Sequence, residues 1–308
     1  MLSIKAFLQA TRPRTYPLAM AGIFAGNATA YTLLKQHAIL WSAHHWQVFL
    51  LSLWVALALQ ILSNLANDYG DGIKGTDAHR QDRQTAQGTI KASVFKKLIV
   101  GWALFTFMCG VRLLWLSFDN LKEFLLFLTF GIIAIFAACA YTMGKNPYGY
   151  RTKGEVAVFV FFGLLSICGS QYLQVPQLSW LALVVAIAIG LLCTCVLMVN
   201  NMRDIEEDRT AGKVTLAVLL GKQKTSHLYY ALLCIGITLL TLTGIYQQKI
   251  GLIILPMLIA IPVYQHLKTI KNYANQQIPP SELATQLKKI VLITLVSSVI
   301  YSLNQLQQ

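Results

Sequence analysis

Two short stretches hold eight of the chain's twelve acidic residues. The first runs from Asn67 to Asp82 and carries Asp68, Asp71, Asp77 and Asp82. The second runs from Asn200 to Asp208 and carries Asp204, Glu206, Glu207 and Asp208. Each begins just past an apolar run long enough to cross a membrane. In a chain of net charge +13, carboxylates this sparse and this clustered read as cation ligands rather than as solvated loop edges. A spacing of four puts side chains on one helix face. Asn67 and Asp71 therefore project together, as do Asn200, Asp204 and Asp208. Asp68 lies about 100° round from that face and ranks lower. Beyond Asp71 the helix is expected to fray at Gly72 and Gly75, which would let Asp77 fold back towards the same centre.

Oxygen ligands of this kind select hard cations, and Mg2+ is commonly bound by one or two carboxylates together with substrate phosphates. Two facing Asn/Asp sets could hold Mg2+ ions bridged by a diphosphate. Lys74, Arg83, Arg203, Arg209 and Lys213 lie near enough in sequence to neutralise the rest of its charge, and arginine suits bidentate phosphate contacts. Charges at the membrane edge that face a bundle interior are functional by default. A lipid-soluble diphosphate is the natural substrate at that depth.

The elements that must position these residues follow from composition. The chain has 308 residues, of which 56% are hydrophobic and 12% charged, about half the charged share of a soluble domain. With a mean hydropathy of +0.57, the expectation is an all-α polytopic membrane protein, one domain over 1–308, with acidic loops at about 67–95 and 200–226. Disorder, collagen and disulfide scaffolds are excluded. Cys109, Cys139, Cys168, Cys193, Cys195 and Cys234 lie in apolar runs without paired spacing and read as small buried hydrophobes. The basic start lacks the apolar region and cleavage site of a signal peptide before Pro13. Lys and Arg punctuate apolar runs instead of forming a face, which argues against nucleic acid.

A membrane helix needs roughly 20 apolar residues, and nine are expected at about 15–34, 46–66, 96–117, 121–142, 155–174, 178–199, 227–246, 250–267 and 288–305. The polar stretch from Lys268 to Gln286 reads as a loop. With the N-terminus cytoplasmic, every Lys and Arg except Lys35, Arg112, Lys122 and Lys249 falls on the inside, as the positive-inside rule favours. Both acidic clusters then meet on the cytoplasmic side, most simply of a bacterial inner membrane. The repeated Asn-x-x-x-Asp endings suggest a diverged internal repeat.

These residues carry a resemblance. Gln60 to Asp71, Lys74-Gly75-x-Asp77, and Asn200-Asn201-x-Arg203-Asp204-x-x-x-Asp208-Arg209 followed by Gly212-Lys213 resemble the UbiA-type intramembrane prenyltransferases. Arg12-Pro13-Arg14-Thr15, Tyr141-Thr142 and Asn146-Pro147-Tyr148-Gly149-Tyr150 look most like the branch that prenylates 1,4-dihydroxy-2-naphthoate. The resemblance implies a nine-helix bundle around a central cavity open to lipid, and Mg2+-dependent transfer of a polyprenyl group from its diphosphate to an aromatic ring. Its metal positions map onto Asn67, Asp71, Asp77, Asn200, Asp204 and Asp208. Its basic positions map onto Lys74, Arg83, Arg203 and Lys213, and it adds a substrate-binding role for Arg12. Glu155 stands where that branch often has Asp.

On this reading a metal and the basic side chains stabilise the departing diphosphate. Tyr69, Tyr141 and Tyr148 are placed to offer ring faces to an allylic cation. Ring attack with loss of CO2 needs little general-base chemistry, in keeping with the lack of any histidine in the second to sixth expected membrane helices. A hydroxybenzoate or homogentisate acceptor stays open, as does a secondary transporter, whose coupling charges would sit at the membrane midplane instead of at helix ends. A purely structural role leaves the acidic spacing unexplained.

Overall fold

The computed structural model describes residues 4–75 and 84–307, so Asp77, His79, Asp82 and Arg83 lie outside the described residues. Its elements run α1 (Ile4–Thr11), α2 (Tyr16–Gln36), α3 (Ala43–Lys74), α4 (Ala92–Ser117) and α5 (Leu121–Ala140). Then come α6 (Gly154–Val158), a π-helical segment (Phe159–Leu165) and α7 (Ser166–Gln174), which form one continuous rod, followed by α8 (Trp180–Arg203) and α9 (Ile205–Thr210). The chain finishes with α10 (Leu216–Gln247), α11 (Ile250–Ile253), α12 (Leu255–Leu258), α13 (Ala260–Ala274) and α14 (Leu283–Leu306). Among the described residues there is no sheet, only an isolated bridge between Arg151 and Val214.

Among the described residues seven helices are long and apolar enough to span a bilayer: α3, α4, α5, the 154–174 rod, α8, α10 and the 280–306 segment. Two of the nine expected spans fall short of that standard. The segment near 15–34 forms α2, but Asn27, Thr29, Thr32 and several glycines and alanines dilute its hydropathy. The segment near 250–267 is divided into α11, α12 and the start of α13, because prolines at 256 and 262 each remove a backbone donor. The expected loop from 268 to 286 is shorter than its polarity suggests. Helix α13 continues through it to Ala274, burying Ile270, Tyr273 and Ala274 on one face.

Asp68 and Asp71 of the first stretch stand on a helix, not in a loop. Helix α3 has 32 residues and so spans about 48 Å, against a hydrocarbon core of about 30 Å. It does not fray at Gly72 but runs to Lys74, where Gly75 at φ 76° makes a left-handed cap.

Lipid tails are as apolar as leucine, so helices in a bilayer associate through close packing rather than exclusion from water. Small residues do this here. A Cβ on Gly163 would lie 2.7 Å from Gly190 Cα, so the π segment and α8 meet backbone to backbone. Helix α8 is the central element, burying Ile189, Leu192, Val196 and Val199. Helix α5 is the least buried span, with Leu125, Leu126, Ile132, Ile133 and Phe136 exposed. All six cysteines are free, but only Cys193 and Cys195 are buried, and Cys234 is exposed.

Candidate active site

One face of α3 carries Gln60, Asn64, Asn67 and Asp71, and all four line a single cavity. The two upper carboxamides tie the chain's start to this face. Gln60 donates to Thr15 Oγ1 (2.8 Å), and Asn64 Nδ2 donates to the Thr11 carbonyl (2.8 Å) and to Thr15 Oγ1 (2.9 Å). Arg12 sits between these anchors with φ 48°, a left-handed backbone that a non-glycine residue adopts only when its surroundings hold it there. Its guanidinium donates to Asn67 Oδ1 at 3.0 Å. Asp68 points away from the cavity. It is fully buried and accepts from the backbone amides of Gln84 (3.1 Å) and Thr85 (2.9 Å), fixing where the chain returns after the first stretch.

The second stretch is built on a helix break. Helix α8 ends at Arg203, Asp204 is the joint, and α9 begins at Ile205. The Tyr273 hydroxyl donates to the Met202 carbonyl beside the joint. Arg203 grips Asp204 through two bonds of 2.6 and 2.7 Å and donates to Asn200 Oδ1 at 3.0 Å. One turn on, Lys213 Nζ lies 3.1 Å from Asp208 Oδ1, with both side chains buried. Burial pushes the Asp208 carboxyl up to about 6, with Lys213 pulling the other way. Burial opposes the Lys213 charge, but Asp208 and then Asp71 outweigh it and hold the ammonium above its ordinary value.

Tyr150 joins the two stretches. The Arg151–Val214 bridge, with Thr152 N donating to Val214 O (2.9 Å), lays the 148–150 turn beside the Lys213 loop. Tyr150 then donates to Asp71 Oδ1 at 2.9 Å, while Lys74 and Lys213 stand 4.5 and 5.5 Å from its ring centre.

The cavity, of about 390 Å3, has two ends. At the polar end are Arg12, Asn67, Asp71, Asn200, Asp204, Asp208 and Lys213, with Tyr141 and Tyr148 beside them. The two tyrosine rings meet edge to face at 5.4 Å, and Tyr148 donates to the Ala137 carbonyl. Burial raises both phenols, Tyr148 to about 12, so both stay neutral. The other end is apolar, lined by Phe107, Leu114, Phe127, Phe161 and Leu173 among others.

Of the residues singled out from sequence, Asn67, Asp71, Asn200, Asp204, Asp208, Arg12, Lys213, Tyr141 and Tyr148 share this cavity. Arg203 reaches it only through Asp204 and Asn200. Lys74 lies just outside, over Tyr150 and donating to the Thr142 carbonyl. Arg209 points to the surface and pairs with Glu206 at 3.0 Å. Tyr69 packs on Phe95, away from the cavity. Asp77 and Arg83 lie outside the described residues. Asn201 is buried and donates to Glu155 Oε1 (2.9 Å), leaving Asn200 as the cavity-facing member of the pair. Tyr150 was missed, since nothing in its spacing links it to Asp71. Gln60 and Asn64 could have been found, because they continue the Asn67–Asp71 face one and two turns back.

The donor set fits a hard divalent cation completed by a ligand's own oxygens. Among the described residues every cavity-facing oxygen ligand candidate in the two stretches is a carboxylate or carboxamide, and Asp208 Oδ2 is buried without a hydrogen-bond partner. Among the described residues no three carboxylate, histidine or cysteine side chains converge as a closed cage.

Fold and site together describe an integral membrane protein whose cavity is charged and polar at one end and apolar at the other. Residues 38–283 match the UbiA prenyltransferase family, and the chain belongs to that family. It is 37% identical over 306 residues to a 1,4-dihydroxy-2-naphthoate octaprenyltransferase of Haemophilus influenzae, covering 98% of this chain and 96% of that protein. It is 41% identical to the protein of the same name from Escherichia coli, over 75% of this chain and 73% of that one. Two solved structures share the fold. A UbiA homolog from Archaeoglobus fulgidus bound to DMAPP and Mg2+ gives a TM-score of 0.54 at 15% identity, covering 96% of this chain and 98% of that one. An apo UbiA homolog from Aeropyrum pernix gives 0.59 at 13% identity, covering 99% and 98%.

Proposed function

We propose that this protein transfers a polyprenyl group from polyprenyl diphosphate to 1,4-dihydroxy-2-naphthoate with loss of CO2, forming the prenylated naphthalenediol of menaquinone synthesis. The observation that carries the reading is the single cavity in which Asn67 and Asp71 face Asn200, Asp204, Asp208 and Lys213, with an apolar tail leading away from them. The acceptor is supported by the similarity to naphthoate octaprenyltransferases along nearly the whole chain.

Asn67, Asp71, Asn200, Asp204 and Asp208, with Asp77, would hold Mg2+, which supplies Lewis-acid stabilisation to the leaving diphosphate. Lys213 and Arg12 neutralise the remaining phosphate oxygens, while Arg203 fixes the Asp204 carboxylate and Tyr150 the Asp71 carboxylate. As the allylic C1–O bond breaks, the electron pair leaves with the diphosphate. Tyr141 and Tyr148 present ring faces beside the cationic carbon, each worth about 0.5–2 kcal/mol. The apolar walls exclude water that would otherwise capture that carbon. The electron-rich ring carbon forms the new C–C bond. The carboxylate's C–C electron pair then restores aromaticity as CO2 departs, so no side chain has to remove a ring proton. The cavity lining contains no histidine among the described residues. The charge distribution supports a cytoplasmic polar end.

The test uses detergent-solubilised protein with a polyprenyl diphosphate and 1,4-dihydroxy-2-naphthoate, in Mg2+ or EDTA. Mg2+-dependent product, lost in Asp71→Asn and in Asp204→Asn, is the expected result. Product with hydroxybenzoate but not with the naphthoate would keep the site and overturn the acceptor. No product with any aromatic acceptor would overturn the reaction.

A further inference from the structure

Helix α8 ends in carbonyls that no helix satisfies. Among the described residues no main-chain amide of α9 bonds back across the joint to Asn201, Met202 or Arg203, where a continuous helix would place its next bonds. The last carbonyls of a helix need partners from outside it, and a buried one left without a partner is costly. Met202 is fully buried. Its sulfur accepts from Ser226 of α10 at 3.7 Å, and its carbonyl accepts from the Tyr273 hydroxyl of α13. The cap on α8 therefore comes from a residue 71 positions away.

The ion pairs of the second stretch do not hold this joint. Arg203 and Lys213 reach Asp204 and Asp208 through side chains alone. Asp204 has φ −98° and ψ 13°, away from helical values near −63° and −42°. Closing the missing bonds would draw Asp204 to those values and swing α9, with Asp208, about the joint.

Tyr273 has a firm backing. Residues seven apart share a helix face, and His266 lies on the same face of α13 as Tyr273. His266 is fully buried, sharing hydrogen bonds with the Tyr229 hydroxyl of α10 and with Gln286 of α14, the latter at 2.9 Å. At the other end Gln223 donates to the Ala274 carbonyl at 2.8 Å, and the Lys222 ammonium stands 5.7 Å from the Tyr273 ring centre. Burial raises the Tyr273 phenol, and Glu206 and Asp204 raise it further, so the hydroxyl keeps its proton and stays a donor.

We infer that Tyr273 is a positioning residue for the second acidic stretch: its hydroxyl caps the Met202 carbonyl, keeps α8 and α9 from closing into one helix, and so sets where Asp204 and Asp208 stand. The inference rests on the cation reading of those carboxylates proposed above and not on the acceptor.

The test compares Tyr273→Phe with Tyr229→Phe. Each removes one buried phenol hydroxyl, but Tyr229 bonds His266 and does not touch the joint. Thermal unfolding in detergent is followed with inorganic diphosphate as Mg2+ is titrated, since a ligand that binds the folded state raises its stability. Both variants are expected to unfold earlier than the parent without metal. Tyr273→Phe alone should need about tenfold more Mg2+ to reach half of its stabilisation. Equal Mg2+ midpoints in the two variants overturn the positioning role. A second measurement needs neither metal nor turnover. Amide exchange at 205–207 reads the open joint directly, because unbonded amides exchange freely. Slower exchange in Tyr273→Phe than in the parent is expected, as the helix closes onto the Met202 carbonyl, and unchanged or faster exchange overturns the proposal. A parent that gains no stability from Mg2+ with diphosphate would sink the cation reading alone, because the exchange measurement reports on the joint without metal.

Discussion

The two acidic stretches share the spacing Asn-x-x-x-Asp and are built differently. Asn67 and Asp71 stand on an unbroken helix that continues to Lys74. Asn200, Asp204 and Asp208 straddle a break, with Asp204 at the joint between α8 and α9. The second stretch carries its own counter-charges. Arg203 adjoins Asp204, and Lys213 meets Asp208 within one short loop. The first takes partners from distant parts of the chain, Arg12 for Asn67 and Tyr150 for Asp71. A self-neutralised stretch keeps its shape by local pairing. The other depends on how the whole bundle assembles, so the two should fail differently when partners are removed.

Lys213→Met should give the largest effect. It leaves Asp208 buried beside the other carboxylates without its cation, and breaking a buried pair costs about 3–5 kcal/mol. Thermal unfolding in detergent checks this, and the double change with Asp208→Leu should recover most of the loss. No drop in stability would mean the second stretch is not held together by its own charges. Next comes Tyr150→Phe, which removes a hydrogen bond to a carboxylate worth about 1.5–3 kcal/mol. Since Asp71 is a proposed ligand, the loss should show as a tenfold to hundredfold fall in kcat/KM, with a raised Mg2+ requirement and little change in unfolding temperature. Asp68→Asn should do the opposite. It weakens the anchoring of Gln84 and Thr85 by about 1–3 kcal/mol while leaving kcat/KM of the folded protein within about twofold. A larger catalytic loss would place Asp68 in the chemistry after all.

The site's carboxylates and carboxamides were legible because helical spacing fixes a face: four residues apart is one side of a helix wherever the helix ends. Asp68 was set aside on the same ground, and its fully buried capping role agrees. Tyr150 was not legible, because its place depends on the Arg151–Val214 bridge between loops distant in sequence. Gly72 suggests the end of the helix, whereas α3 runs on to Lys74 and only Gly75 caps it. At 250–267 an apolar run suggests one span, and proline divides it.

Arg209 marks where sequence proximity stops being informative. Both it and Lys213 follow the second acidic stretch within a few residues, and both were expected at the phosphate. Lys213 is buried against Asp208 in the cavity, whereas Arg209 pairs with Glu206 at the surface, their side chains 55% and 60% exposed. The α9 turn is the reason. Asp208 lies on the face of α9 that turns inward, and its neighbour at the next position is carried about 100° round the helix, outwards. An exposed pair of this kind is worth about 0.2–1 kcal/mol. Arg209→Ala should therefore leave kcat/KM for the polyprenyl diphosphate within about twofold and barely move the unfolding temperature, where Lys213→Met lowers both. A tenfold loss in the Arg209 variant would mean that α9 rotates when diphosphate binds, bringing to the phosphate a cation that faces water in this structure, and the second stretch would then be the mobile one of the two.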